Sequence, residues 1–176
     1  MSDDKAIYKV IINAPIELVW AELVKTDEVL PFFFGAVCKT TSELSIGSPM
    51  AMQTKNGKYR SVVGKVLEFS PPHRYAHTFK FTGYDDPPCT VTYDLKEVEG
   101  GVEFSLTTTN VPVGTKTEKG MAQGGKFIVE TFKSVVETGK PSFGGRLMLG
   151  VMGVFQPLTP NICKSENWPF EKIAGL

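Results

Sequence analysis

His77 is the titratable side chain best placed for chemistry. Alternation over Arg74 to Thr82 sets it on one face of a strand with Tyr75, Phe79 and Phe81, and sets Ala76, Thr78 and Lys80 on the other. An imidazole on an apolar inner face can serve as a general acid or base, or can anchor a ligand by a hydrogen bond. The plainer reading is a core histidine bonded to a hydroxyl such as that of Tyr93. His73 follows Pro72 in a turn and belongs to the surface. Tyr93 shares a face with Val91 and Leu95, so its ring is expected inside, with its hydroxyl bonded to a ligand or to the protein. Met50, Met52 and Met121 face the same interior, where thioethers suit either a pocket for variable apolar ligands or ordinary core filling. Phe79, Phe81, Phe104 and Ile128 supply apolar wall. Gly124-Gly125 lets a ligand or the sheet approach a helix backbone closely, or else marks a late helix start.

Other chemistries find little support. The serines have no evident histidine and carboxylate pairing, and Gly100-Gly101 and Gly144-Gly145 match no phosphate-binding loop. With 2 histidines in the chain, a metal site is not expected. No catalytic residue and no cofactor is therefore assigned.

The elements that must position these residues follow from periodicity. Ala6 to Ile12 is a β-branched run and reads as a strand. Pro15 opens a helix carrying Ile16, Val19, Trp20, Leu23 and Val24, and a second short helix is expected over Asp27 to Phe33. Phe32, Phe33, Phe34 and Gly35 then form an aromatic turn, either a cavity rim or a plug in the core. From Ala36 to Thr109 short strands alternate with turn residues, and Asn56-Gly57 is the clearest hairpin signal. The longest amphipathic segment runs from Thr115 to Gly139. Met121, Ile128, Phe132, Val135 and Val136 share a face, a capping box Thr115–Glu118 starts it and Gly139 ends it.

Strand, two short helices, about six antiparallel strands and one long helix make an α+β fold, a curved sheet of about six to seven strands wrapped around the helix. Such a sheet does not close tightly on a rod, so a cavity between them is expected. Residues 1–140 form this domain, and residues 141–176 form an extension that packs on it or on a partner. Within the extension, Ser142 to Gly145 reads as a flexible joint. Arg146 to Phe155 is a short apolar run expected to pack back on the domain, and Gln156 to Pro169 is an extended arm.

Composition bounds the partners. A formal net charge of zero over 176 residues, with the lysines dispersed, argues against nucleic acid. No apolar run approaches the ~20 residues that span a bilayer. Cys38, Cys89 and Cys163 are odd in number and contain no CxxC pair, and the first residues are acidic, which together point to a cytoplasmic protein.

Several stretches carry a family resemblance. Ile11/Ile12, Ala14, Pro15, Val19 and Trp20 resemble the opening of the START-like, helix-grip superfamily, which includes the birch-pollen-allergen fold. Gly64 to Glu68, Pro71, Pro72 and Arg74, continuing to Thr78-Phe79, resemble its branch of homologues of the activator of the 90-kDa heat-shock-protein ATPase. The close at Glu137-Thr138-Gly139 is similar to that branch's usual helix end. The match covers about residues 6 to 140; a tryptophan common early in the long helix is absent, with Met121 nearby. The resemblance implies a helix-grip fold and a choice of roles: binding a hydrophobic or amphipathic small molecule, modulating a chaperone, or cyclase- or dehydratase-type catalysis. The weak catalytic apparatus favours the non-catalytic binding module.

Overall fold

A computed structural model describes residues 5–176, with the side chain of Phe155 excepted; the acidic start, residues 1–4, lies outside the described residues. The chain opens with β1 (Ala6–Ile12), which turns Tyr8, Val10 and Ile12 inward. Helix α1 (Ile16–Leu23) follows Pro15 and buries Ile16, Val19, Trp20 and Leu23. Seven more strands come next: β2 (Val29–Leu30), β3 (Ala36–Thr40), β4 (Pro49–Gln53), β5 (Arg60–Ser70), β6 (Arg74–Phe81), β7 (Cys89–Val98) and β8 (Gly101–Thr109). They form one antiparallel sheet of 8 strands in the order β1-β8-β7-β6-β5-β4-β3-β2. The N-terminal strand thus pairs with the last, and the meander runs back to the aromatic turn. The Asn56-Gly57 hairpin joins β4 to β5, with Gly57 at φ 71° and the Asn56 Oδ1 accepting from the Lys58 N–H at 3.0 Å.

The strand count exceeds the expected six to seven because the second short helix does not form. Asp27 sits at φ 65°, a left-handed conformation that Asp tolerates, and its N–H donates to the Cys38 carbonyl at 3.0 Å. That bond draws Val29–Leu30 into the sheet beside β3. Only Pro31–Phe33 winds into a single 3₁₀ turn, closed by Phe34 at φ 54°. Lys39 pairs with the Asp27 carboxylate and holds the corner.

Helix α2 (Lys116–Thr138) fills the concave side of the sheet. The Thr115 hydroxyl accepts from the Glu118 N–H at 3.2 Å, while the Glu118 carboxylate reaches back to the Gly114 N–H at 2.8 Å. Gly139 caps the other end at φ 76°. Glu137 accepts from the Asn13 N–H at 2.7 Å and from Lys133 at 3.0 Å, so these bonds hold its carboxyl below the usual range. The inward stripe places the fully buried Phe132 against Phe32 and Phe104, with ring centroids 4.7 and 4.6 Å apart.

The two glycines lie inside α2, so the helix does not start late. A methyl group on Gly125 would stand 2.3 Å from Cε2 of Tyr8, well inside contact distance. The Tyr8 ring from β1 therefore lies directly on the helix backbone, its hydroxyl donating to the Ala122 carbonyl at 3.4 Å. Gly125→Ala should destabilise the chain, because the expelled ring outweighs the roughly 1 kcal/mol of helix propensity gained. In a Tyr8→Ala background the same change should stabilise by about 1 kcal/mol. Urea unfolding of the four proteins in this cycle checks the reversal of sign, and an unchanged sign would refute the ring-on-backbone account.

Beyond Gly139 the structure is more regular than its composition implies. Ser142 caps a helix α3 (Phe143–Phe155), its hydroxyl accepting from the Gly145 N–H at 3.2 Å, so the Ser142–Gly145 joint is a helix start. Gln156 to Pro169 is not an extended arm: Gln156–Leu158, Asn161–Cys163 and Ser165–Asn167 form 3₁₀ turns, followed by α4 (Phe170–Ala174). The cause is on the convex face of the sheet. Ala51 and Val63 point outward there, and Trp168, Phe170 and Ile173 cover them as a second apolar cluster. Trp168 Nε1 donates to the Ile162 carbonyl at 2.8 Å, the Ser165 hydroxyl to the Gly57 carbonyl at 2.6 Å, and Arg60 to the Trp168 carbonyl.

Candidate functional site

Inward alternation on β6, β7 and β8 presents Phe79, Phe81, Val91, Tyr93, Leu106 and Thr108 to the N-terminal half of α2. That half carries Gly120, Gly124 and Gly125; Phe81 packs on the first and Tyr8 on the last, while Gly124 leaves space before the Phe34 ring, 3.6 Å from where its Cβ would stand. The C-terminal half carries Val129, Phe132 and Val135 and closes onto the sheet. The result is a cavity of about 970 Å³, mainly apolar, between sheet, α2, the Pro31–Gly35 turn and α3. Such a volume falls at the upper end of the range for drug-sized ligands, roughly 300–1,000 Å³.

The candidate residues divide into two groups. Phe79, Phe81, Tyr93, Met121, Gly124, Gly125 and Ile128 lie on the cavity wall. His77, Phe104, Met50 and Met52 do not; they are buried in the closed core beside it. The His77 ring, with no exposed surface, lies among Tyr75, Phe79 and Tyr93, at centroid distances of 5.2, 6.3 and 5.8 Å. Its Nδ1 is 2.8 Å from the Thr78 carbonyl, which makes Nδ1 the protonated nitrogen, and Nε2 has no partner within the protein. The expected bond to Tyr93 is absent. Burial lowers the imidazole pKa to about 4, the Thr78 carbonyl offsetting only part of that shift. His77 is thus a neutral core residue at physiological pH. The buried Tyr93 ring is stacked between Tyr75 and Phe104, and burial raises its pKa, with Cys38 adding to the shift, so its hydroxyl stays neutral.

The cysteines offer no nucleophile near this gap. Burial pushes the Cys38 thiol to about 12, with Asp27 adding to it, and the Cys89 thiol to about 11. Among the described residues no group of three or more His, Cys, Asp or Glu side chains could hold a metal ion. No helix among them is long and apolar enough to cross a membrane.

Two contributions to the site escape a reading by alternation. Phe34 stacks on Phe127 at 4.6 Å and 10°, packing the aromatic turn against α2 at the cavity's edge. Helix α3 forms the roof, with Arg146, Met148, Leu149, Met152 and Gly153 on the wall. Its apolar run with a single charge was the available signal. Leu149 is the most enclosed of the run's described large side chains, half-buried over the turn near Gly35, whereas Leu147 and Val154 are 62% and 75% exposed.

An antiparallel sheet curved around one long helix, with an open cavity between them, defines a START-like, helix-grip protein. The chain belongs to the family described as activator of Hsp90 ATPase homolog 1-like proteins, whose sequence model matches residues 13–137. Solved structures share the fold. A Cytophaga hutchinsonii protein is 27% identical at a TM-score of 0.59, aligning 79% of this chain with 98% of its own. CalU16 from Micromonospora echinospora is 19% identical at a TM-score of 0.59, over 88% of this chain and 86% of its own. An Hsp90 activator from Plasmodium falciparum is 21% identical at a TM-score of 0.51, over 83% and 96%. No curated protein matches the chain by sequence.

Proposed function

We propose that the chain is a non-catalytic binding module that holds a hydrophobic or amphipathic small molecule between sheet and α2. The cavity of about 970 Å³ carries this reading, because a wall of Phe33, Phe79, Phe81, Leu106, Met121 and Ile128 favours apolar surface. Tyr93 and Thr108 supply its inner polar contacts. His77 stiffens the wall from behind, and a cyclase- or dehydratase-type reaction draws no support from its position.

Native mass spectrometry of the full chain, before and after addition of a panel of fatty acids and aromatic polyketides, tests the reading. A retained or added non-covalent adduct is expected; a panel with no binder refutes it. Gly124→Leu separates binding from folding. A Cβ at Gly124 meets only the Phe34 ring, at 3.6 Å, so a larger side chain has room to enter the cavity. The variant should be as stable as the parent or more so, by up to about 1 kcal/mol of helix propensity. Its ligand affinity should fall by at least about tenfold.

A second reading, modulation of an Hsp90-type chaperone, is favoured by the exposed apolar stripe Phe143, Leu147, Val151 and Val154 on α3 together with the family relation. It predicts that the chain changes the chaperone's ATP turnover and that Leu147→Asp with Val154→Asp removes the effect. An unchanged turnover with the parent chain would reject it.

A further inference from the structure

The cavity carries charge only on its exposed lining. Its buried wall is mainly apolar, with Phe33, Phe79, Val91 and Leu106, and adds only the uncharged hydroxyls of Tyr93 and Thr108. Toward the opening stand Gln53 and Thr54, at the end of β4, and Gln156 and Thr159, after α3. Two lining residues carry charge, Lys55 and Arg146, and both are exposed cations. No acidic side chain lines the cavity among the described residues. Nor does either cation enter an ion pair among them. Since the whole chain is formally neutral, no global field favours anions, and any preference must arise at this rim.

From this arrangement we infer that the cavity takes an anionic amphiphile, a single carboxylate or comparable headgroup on an apolar tail. The inference rests on the reading of the cavity as a binding site and names its ligand class. The tail occupies the deep end, where apolar surface leaves water. The headgroup stays at the wet rim, beside Lys55 or Arg146, which spares the cost of burying a charge. A neutral head forgoes this attraction, and a cationic head meets like charge. Arg146 lies outside the segment that matches the family, residues 13–137, and it sits on the roof helix. Headgroup choice is therefore set by this chain's own extension and by the Asn56-Gly57 hairpin beside Lys55.

Isothermal titration calorimetry of the full chain with decanoate, decan-1-ol and decyltrimethylammonium, which share one apolar chain, tests the inference. Decanoate should bind up to about fivefold more tightly than decan-1-ol at low salt, as an exposed ion pair provides, and the advantage should shrink as salt is raised. Decyltrimethylammonium should bind most weakly. The double variant K55Q/R146Q should bring decanoate to the affinity of decan-1-ol while leaving decan-1-ol unchanged. Equal affinities in the parent chain, or a decanoate preference that survives in the double variant, would overturn the assignment and leave the binding cavity standing. Binding of none of the three probes would remove the cavity reading as well.

Discussion

Phe132→Ala is expected to lower stability by about 3–5 kcal/mol, the range for removing a fully buried aromatic ring. The ring has no exposed surface and joins three parts of the structure, its own helix included. From α2 it meets Phe104 of β8 on one side and Phe32 of the aromatic turn on the other. Truncation loses the transfer free energy of the ring and leaves a hole that two fixed backbones cannot close. A chain of this size changes its melting temperature by about 2–4 °C per kcal/mol, so a fall on the order of 10 °C is expected. Denaturant unfolding should show a lower midpoint with an unchanged slope. A loss below about 1 kcal/mol would mean that α2 is not anchored through this ring, since core truncations of this type seldom cost so little.

Acidification from pH 6.5 to 4 should destabilise the chain by about 3 kcal/mol through His77 alone. The imidazole titrates at about 4 in the folded protein against 6.5 as the ordinary value, so the unfolded chain binds the extra proton in that window. Stability therefore falls as pH drops through 6.5 and levels off, for this group, below about 4. The groups around the ring, Tyr75, Phe79 and Tyr93, hold no charge that would favour an imidazolium. Burial raises the Tyr75 hydroxyl's pKa, with Cys38 and Tyr93 adding to it, so that group stays neutral too. Carboxylates add a separate loss at lower pH, because Glu137 is held below its ordinary value of 4.5 by the Asn13 N–H and Lys133. His77→Leu should flatten the curve between pH 6.5 and 4.5 and leave the steeper fall below it. Urea midpoints measured across this range decide the matter; an equal slope in the variant would place the titration elsewhere.

The aromatic turn shows why some local readings failed. The short helix expected from Asp27 did not form, because Asp can cap a helix or take a left-handed turn. Which of these it does depends on the Cys38 carbonyl, contributed by a strand not yet paired when the sequence is read locally. The tail failed for a related reason. Its three prolines and lack of period are compatible with an arm, but Ala51 and Val63 on the convex face needed cover, and Trp168 and Ile173 supply it.

Read by itself, the sequence determined the elements whose cause is local. The long helix carries its cap, its stripe and its terminal glycine within 25 residues, Thr115 to Gly139. The period of two assigned each strand residue to a face, so Phe79, Phe81 and Tyr93 were correctly turned inward. Tertiary structure alone decided how far along the sheet the space would open. Alternation distinguishes inside from outside but not depth, and His77 and Phe79 are indistinguishable by it. The difference arises along α2, where Phe132 fills the space up to Phe104 while Met121, Gly124 and Ile128 border an open cavity. The same holds for the roof, since no local rule told Arg146 which surface α3 would cover.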